Sequence, residues 1–265
     1  MALWTRLVDY AERIDGEVCR REAAPAGVPL ILSWSGTVTV PGTGGFTRGF
    51  VAGPTDRWTD TVCRGDAAGV QVDLTWTAAR AVLGLPLIEL RHTTVAVEDM
   101  WGASGRRLVE QLAEELTPAG RRRLVEVFLR RRAETSVPAL VTSAAAILDQ
   151  QAGRISVADL AAELGCGRQY LHRQVSRHLG LAPHTLARLV RFRSALTALR
   201  TSQHSTGWAG LAADYGYYDQ SHLYREFREL AGVTPGQARA TWRLAPVKAT
   251  SVHDEAFGDA VASSP

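Results

Sequence analysis

The chain has 265 residues, 46% of them hydrophobic and 22% charged, with 30 basic against 27 acidic side chains and a formal net charge of +3. That length and composition suit a folded chain of two domains plus a tail, and no apolar run reaches the roughly 18 residues that a membrane-spanning helix needs. The N-terminus, interrupted by Asp9 and Glu12, lacks a signal peptide's hydrophobic core, so the expected location is the cytoplasm.

Charge is unevenly spread. Basic and acidic residues balance at 17 each through residue 136, stand at 12 against 7 from 137 to 245, and at 1 against 3 thereafter. A local basic excess suits nucleic acid but also an ordinary solvated face. Cys19, Cys63 and Cys166 lie far apart without CxxC or CxxxC spacing, and read as reduced structural thiols. No metal or cofactor is expected.

In chain order, residues from about 15 to 78 read as short strands. LILSWSGTVTV, GFTRGFVAG and GVQVDLTW are rich in Val, Thr and Trp and are separated by Gly/Pro clusters, which predicts a β sandwich or barrel. TAARAVLGLPLIEL predicts a short helix stopped at Gly84 and Pro86. GRRLVEQLAEEL and PAGRRRLVEVFLRRRAE predict two helices joined at Thr117-Pro118, with Pro118 at a helix start. Beyond Val137-Pro138 the pattern is helical to about 243, and the last twenty residues read as a disordered tail. The expected class is therefore α+β: a β-rich domain (1–102), a helical connector (103–136), an all-α domain (137–245) and a tail (246–265).

The helical region repeats itself. LAAELGCGRQYLHRQVSRHLGLAP begins at Leu160 and LAADYGYYDQSHLYREFRELAGVTP at Leu211. Each copy predicts a first helix (Val157 to Leu164; roughly Gly207 to Tyr215) ending at a glycine, Gly165 or Gly216, where a left-handed residue lets the chain turn sharply. A second helix follows and buries Leu171, Val175 and Leu179, or Leu223, Phe227 and Leu230. This is a helix-turn-helix arrangement, whose second helix can enter a major groove. Its polar positions suit that task. Arg168, Gln169, His172 and Arg173 lie along one candidate recognition helix, and Gln220, Ser221, His222 and Arg225 along the other. Arg offers paired donors to guanine and Gln a donor and an acceptor to adenine. Between the copies, His184 to Arg200 predicts an unbroken helix about 25 Å long. That length suits two units spaced about one DNA turn, roughly 34 Å, apart. The second copy has one extra residue between its leading Leu and its Arg, and different side chains, so unequal half-sites are expected.

Residues 160–183, the linker helix and GYYDQSHLYREFRELAGVTP at 216–235 resemble the AraC/XylS transcription regulators, whose second motif commonly reads G-(F/Y)-x-D-x-S-H-F-x-R-x-F-(K/R)-x-x-x-G-x-(T/S)-P. Leu223 stands where the family often has Phe, and Arg228 where it often has Lys. The resemblance covers roughly 137–243. It implies that Gln169, His172, Arg173, Ser221, His222 and Arg225 lie at base-contacting positions, with Gln220 at the edge of the set. QVDLTWTAARAVLGLPLIELRHTTVAVEDMWG is similar to a segment in some members of the family, which implies a sensing or dimerisation role for the β-rich region. The partners so implied are double-stranded DNA, RNA polymerase, a small-molecule effector or regulatory protein, and a second copy of the chain, with activation the family default.

In the β-rich region Trp34, Trp58 and Trp76, with Phe46 and Phe50, are candidates to line an effector pocket served by Arg48, Asp56 or Arg57; the alternative is that these rings fill the core. Leu108, Leu112 and Leu116, with Leu124, Val127 and Phe128, suit either a dimer face or packing within the chain. A rival reading makes the N-terminal half an enzyme or DNA-modifying domain targeted by the C-terminal half. It finds no Gly-x-Ser-x-Gly, phosphate loop or Cys/His pair in support.

Overall fold

A computed structural model describes residues 3–200 and 207–244; the tail expected at 246–265 lies outside the described residues. The N-terminal region forms one antiparallel sheet of seven strands: β1 (Trp4–Glu12), β2 (Glu17–Glu22), β3 (Val28–Thr39), β4 (Gly45–Phe46), β5 (Gly49–Ala52), β6 (Thr59–Leu74) and β7 (Thr94–Ala96). Its path runs β1-β6-β3-β5-β7, with β2 also on β6 and β4 on β3. The long strand β6 organises it, because β1 and β2 share one of its edges while β3 follows the other. Val28, Leu30 and Leu32 stand opposite Leu74, Val72 and Val70, and all six are fully buried. This is the period-2 alternation of a sheet with one dry face.

The structure corrects the sequence reading in two places. Strand structure begins at Trp4 rather than near residue 15, and the short strand expected at GVQVDLTW is the end of a 16-residue strand. In β1 nearly every residue is half-buried, so its alternation is weak; in β6, exposed Arg64, Gly65 and Asp66 interrupt the apolar pattern although pairing resumes on either side.

Helix α1 (Trp76–Leu83) opens where Thr75 Oγ1 accepts the Ala78 N–H at 3.2 Å and closes at left-handed Gly84, and every one of its residues is buried. A 3-10 turn, Leu87–Leu90, follows. Helix α2 (Val97–Glu114) starts earlier than expected and is kinked at Gly102. Helix α3 (Pro118–Arg132) has Pro in its first turn and a Thr117 cap that accepts the Gly120 N–H at 3.0 Å, as its sequence predicts. Leu108 and Leu112 are buried within the chain, and α3 buries Val125 and Leu129 rather than the Val127 expected to face inward or toward a partner. Leu116 and Val127 remain exposed.

The C-terminal region is all helical: α4 (Ala139–Gln150), α5 (Val157–Glu163), α6 (Arg168–Leu179), α7 (Pro183–Arg200), α8 (Gly207–Asp214), α9 (Gln220–Ala231) and α10 (Pro235–Leu244). Helix α7 is its axle. Leu186, Leu189, Val190, Phe192 and Ala195 are buried on several of its sides, as suits a helix wrapped by others. The Phe192 ring meets Phe227 of α9 edge-on, with centroids 4.9 Å apart.

The sheet and the helices share one apolar core, which runs without a break from Ala24 to Ala238. Polar contacts cross the same boundary: the Ala24 N–H donates to the Leu230 carbonyl at 2.7 Å, and Arg193 donates to the Ala26 carbonyl at 3.5 Å. Phe192→Ala is expected to lower the unfolding free energy by about 3–5 kcal/mol, measured by urea titration of the full chain. Loss of sheet and helix signals in one common transition is the accompanying expectation.

Candidate nucleic-acid interface

The first helix-turn-helix unit begins at Ser156, whose hydroxyl caps α5 by accepting the Asp159 N–H at 3.1 Å. Leu160 and Ala161 of α5 pack on Leu171, Val175 and Leu179 of α6 within the core. Gly165, at φ +62°, makes the turn. Small Ala161 allows the close crossing, and the opposite side of α6 is left to solvent. Arg168, Gln169, Tyr170, His172, Arg173 and Arg177 are all exposed there.

The second unit repeats the plan with Gly216 at φ +70°. Asp219 caps α9 by accepting the His222 N–H at 2.7 Å. Gln220, Ser221, Tyr224, Arg225, Arg228 and Glu229 line an open concave surface on this helix. The spacing i, i+1, i+4, i+5, i+8, i+9 is one face of a helix. The two recognition helices align at an offset of 52 residues, so Arg168, Gln169, His172 and Arg173 correspond to Gln220, Ser221, Tyr224 and Arg225.

That alignment sets His222 apart. It corresponds to Tyr170, on the flank of the face, and its ring turns back toward the protein. Nδ1 accepts the Tyr218 N–H at 3.3 Å, Nε2 stands 3.6 Å from Glu226, and the ring meets Tyr217 edge-on. The structure thus brings together on the outer face of α9 the expected Gln220, Ser221 and Arg225, and adds Tyr224 and Arg228. Tyr224 packs edge-on against Trp208. The sequence held a signal for it, since Tyr224 immediately precedes Arg225 as His172 precedes Arg173.

Behind α9 the electrostatics differ from those in front. Glu226, 3% exposed, takes Arg188 Nε at 2.8 Å and Arg191 Nη2 at 3.3 Å, both from α7, and Arg188 also reaches Glu229 at 2.6 Å. Arg193 pairs with Asp149 at 2.8 Å. In front, Arg168, Arg173, Arg177, Arg225 and Arg228 have no carboxylate within ion-pair distance among the described residues. Arg173 instead stands over the Tyr170 ring at 5.6 Å. Cations left uncompensated on two matched helix faces suit a polyanion.

The three candidate effector-pocket tryptophans do not share one surrounding. Trp34 lies under Arg121 at 4.8 Å, and Trp58 stacks with Arg21 at 4.2 Å. Trp76 is buried, and of the three it alone lines a crevice of about 180 Å3 between the sheet domain and α4 and α7. Thr5, Thr75, Thr77, Thr142 and the Arg193–Asp149 pair add polar groups to its walls. Among the described residues no group of three or more His, Cys, Asp or Glu side chains is placed to hold a metal, and no helix is long and apolar enough to cross a membrane.

These features make the C-terminal region a helix-turn-helix DNA-binding domain. The helix-turn-helix domain family matches residues 160–241, and with both motifs and their linker helix in place this region is that of a DNA-binding transcription regulator, similar to the AraC/XylS regulators in the arrangement of its motifs. No curated protein matches the chain. Among solved structures it is similar to ToxT from Vibrio cholerae, at 9% identity and TM-score 0.53, over 89% of this chain and 97% of that one. It is also similar to ToxT from Vibrio cholerae O395 bound to (E)-4-(8-methylnaphthalen-1-yl)but-3-enoic acid, at 10% identity and TM-score 0.51, over 89% and 98%. At such identities the likeness is one of fold, a β-rich N-terminal region followed by helices with the helix-turn-helix domain at the C-terminus.

One contact across the domain boundary is sensitive to pH. The Arg80 Nε–H of α1 points at Nδ1 of His178, near the end of α6, at 3.4 Å, so the imidazole must be neutral to accept. Burial, then the charges of Arg80 and Arg177, hold its pKa below the ordinary 6.5. The unfolded chain takes up this proton more readily, so the contribution is present above about pH 6.5 and is lost as pH falls through that value toward the lower folded pKa. The melting temperature is therefore expected to fall more steeply between pH 7.5 and 5.5 in the wild type than in His178→Gln. Equal slopes in parallel thermal melts would remove His178 as the cause.

Proposed function

We propose that the protein activates transcription by placing the outer faces of α6 and α9 in successive major grooves, under control of its N-terminal domain. The observation that carries this reading is the pair of matched faces whose arginines have no carboxylate partner among the described residues, beside amide, hydroxyl and imidazole groups. Arg168, Gln169, His172 and Arg173 serve one half-site, and Gln220, Ser221, Tyr224 and Arg225 the other. Tyr224 in place of His172, and Ser221 in place of Gln169, make the half-sites unequal. His222 supports the start of α9 from behind and reaches DNA only at the edge of the contact.

Control by a small molecule finds support in the crevice lined by Trp76, because a ligand there would touch both domains at once. ToxT, of the same fold, has been seen with a naphthalenyl butenoic acid bound. A bound molecule would shift the equilibrium between arrangements of the domains by its difference in affinity for them. A regulatory protein on the sheet domain would act through the same boundary. RNA polymerase is the partner an activator needs, and the exposed Leu116 and Val127 leave α2 and α3 available to a second copy.

Selection of the full-length chain on random duplex DNA tests the core of the proposal. Two unequal short motifs about ten base pairs apart are the expected result. On the selected site, Arg173→Ala and Arg225→Ala are each expected to cost about 1–3 kcal/mol and to relax base preference at one position, and affinity should fall steeply with salt. Unchanged affinity and preference in both variants would strip these arginines of the role.

A further inference from the structure

The two recognition helices end alike. Gly180 closes α6 at φ +82° and Gly232 closes α9 at φ +67°, each donating its N–H back to the preceding turn, at Ser176 and Arg228. They are the same position of the repeat, 52 residues apart. Each is also a point where the helix end touches the sheet domain. A Cβ on Gly180 would stand 2.7 Å from Pro54 Cγ and 2.9 Å from the Leu87 carbonyl oxygen; one on Gly232 would stand 2.8 Å and 2.9 Å from atoms of the Trp58 ring. Pro54 and Trp58 belong to one short connection, between β5 and β6. A single segment of the N-terminal domain therefore seats the end of both recognition helices, and four residues of chain span at most about 14 Å.

The segment is itself held at both ends. Its Pro54 carbonyl accepts the His92 N–H at 3.0 Å, and the Thr55 hydroxyl lies 3.2 Å from His92 Nδ1. At the other end Arg21 pairs with Asp60 at 3.0 Å, lies 4.2 Å over the Trp58 ring, and donates to the Gly232 carbonyl at 3.2 Å. Beside it, the Ala24 N–H bonds the Leu230 carbonyl at 2.7 Å. Neither helix end can move away from the other without breaking its seat or pulling the segment out of the sheet.

We propose that residues 54–58 act as a yoke that fixes the separation and relative tilt of α6 and α9, with Pro54 and Trp58 as positioning residues. The spacing between half-sites that the protein accepts is then set by its N-terminal domain as well as by the linker helix α7. This rests on the assignment of α6 and α9 as DNA-reading helices. One base pair turns a half-site by about 35° around the duplex, so a rigid pair of readers loses base contacts at the wrong spacing and a loosened pair does not.

The experiment uses the full-length chain and a library of duplexes in which the two selected half-sites are kept and the spacer is varied by two base pairs either way. The wild type is expected to prefer one spacing by about tenfold over its neighbours, the loss of one two-point base contact. Trp58→Ala and Pro54→Ala, each checked for a cooperative melt, are expected to flatten that preference severalfold while keeping the base preference within each half-site, and Trp58→Phe to restore part of it. A folded pair of alanine variants with the wild-type spacing profile overturns the yoke, as does a wild type that accepts all spacings equally. If the wild type enriches no half-site at all, the DNA-reading assignment falls and takes the yoke with it.

Discussion

The buried carboxylate of Glu226 is the interaction on which the second half of the candidate DNA interface turns. An anion taken out of water is costly unless it is paired and hydrogen-bonded, and Glu226 meets this at Oε1, which takes two guanidiniums from α7 and has the His222 imidazole of its own helix 3.6 Å away, while Oε2 is buried without a hydrogen-bond partner among the described residues. Such a cluster adds little to net stability compared with an apolar core of the same shape, but its geometry is directional. It fixes the rotation of α9 about its axis against α7, and that rotation decides which side chains face outward. With Glu226 inward, Gln220, Ser221, Tyr224 and Arg225 must be outward, and His222 is drawn to the inner flank.

The same cluster sorts the arginines. Arg188, Arg191 and Arg193 of α7 spend their charge on Glu226, Glu229 and Asp149, so they give the domain rigidity rather than a field. Those of α6 and the outer side of α9 have no carboxylate within ion-pair distance among the described residues and keep theirs. A count of basic residues cannot make this distinction. The excess of basic over acidic residues between 137 and 245 is modest, yet the structure concentrates the uncompensated part on two surfaces of matching helical position.

Much of this was legible in the sequence, for reasons that differ by region. The helix-turn-helix units announce themselves because a left-handed glycine, a small residue at the helix crossing and a three-residue apolar stripe are all local requirements, and each was met twice. The Thr117-Pro118 start of α3 was legible for the same reason. The sheet was harder. An edge strand such as β1 buries none of its residues completely, and β6 is held across its polar stretch at Arg64 to Asp66 by pairing to strands distant in sequence, which no local pattern reveals. At the candidate interface, the motif gives His222 a base-contacting position but not the direction of its ring, which follows from Tyr217, Tyr218 and Glu226 together. The three tryptophans of the N-terminal region read either as one pocket or as core-filling rings, and a strand pattern does not separate the two; they lie in three settings, under Arg121, against Arg21, and in the core between domains.

A core shared between the sheet domain and the helices changes what the N-terminal domain can do. Two domains joined only by a flexible linker communicate through effective concentration, and neither alters the shape of the other. Here Trp76 of α1 and Ala144, Ala145 and Leu148 of α4 belong to the same apolar core. Packed interiors respond to disturbance by moving between discrete arrangements rather than by deforming smoothly. A ligand or partner that displaces α1 by a small amount must therefore either be refused by the core or move α6 with it, since α1 and α6 are in direct contact and share the Arg80–His178 bond. Under the proposed function, sensing and DNA reading would be coupled in this chain by close packing, and the strength of the coupling would be bounded by what it costs to separate those surfaces.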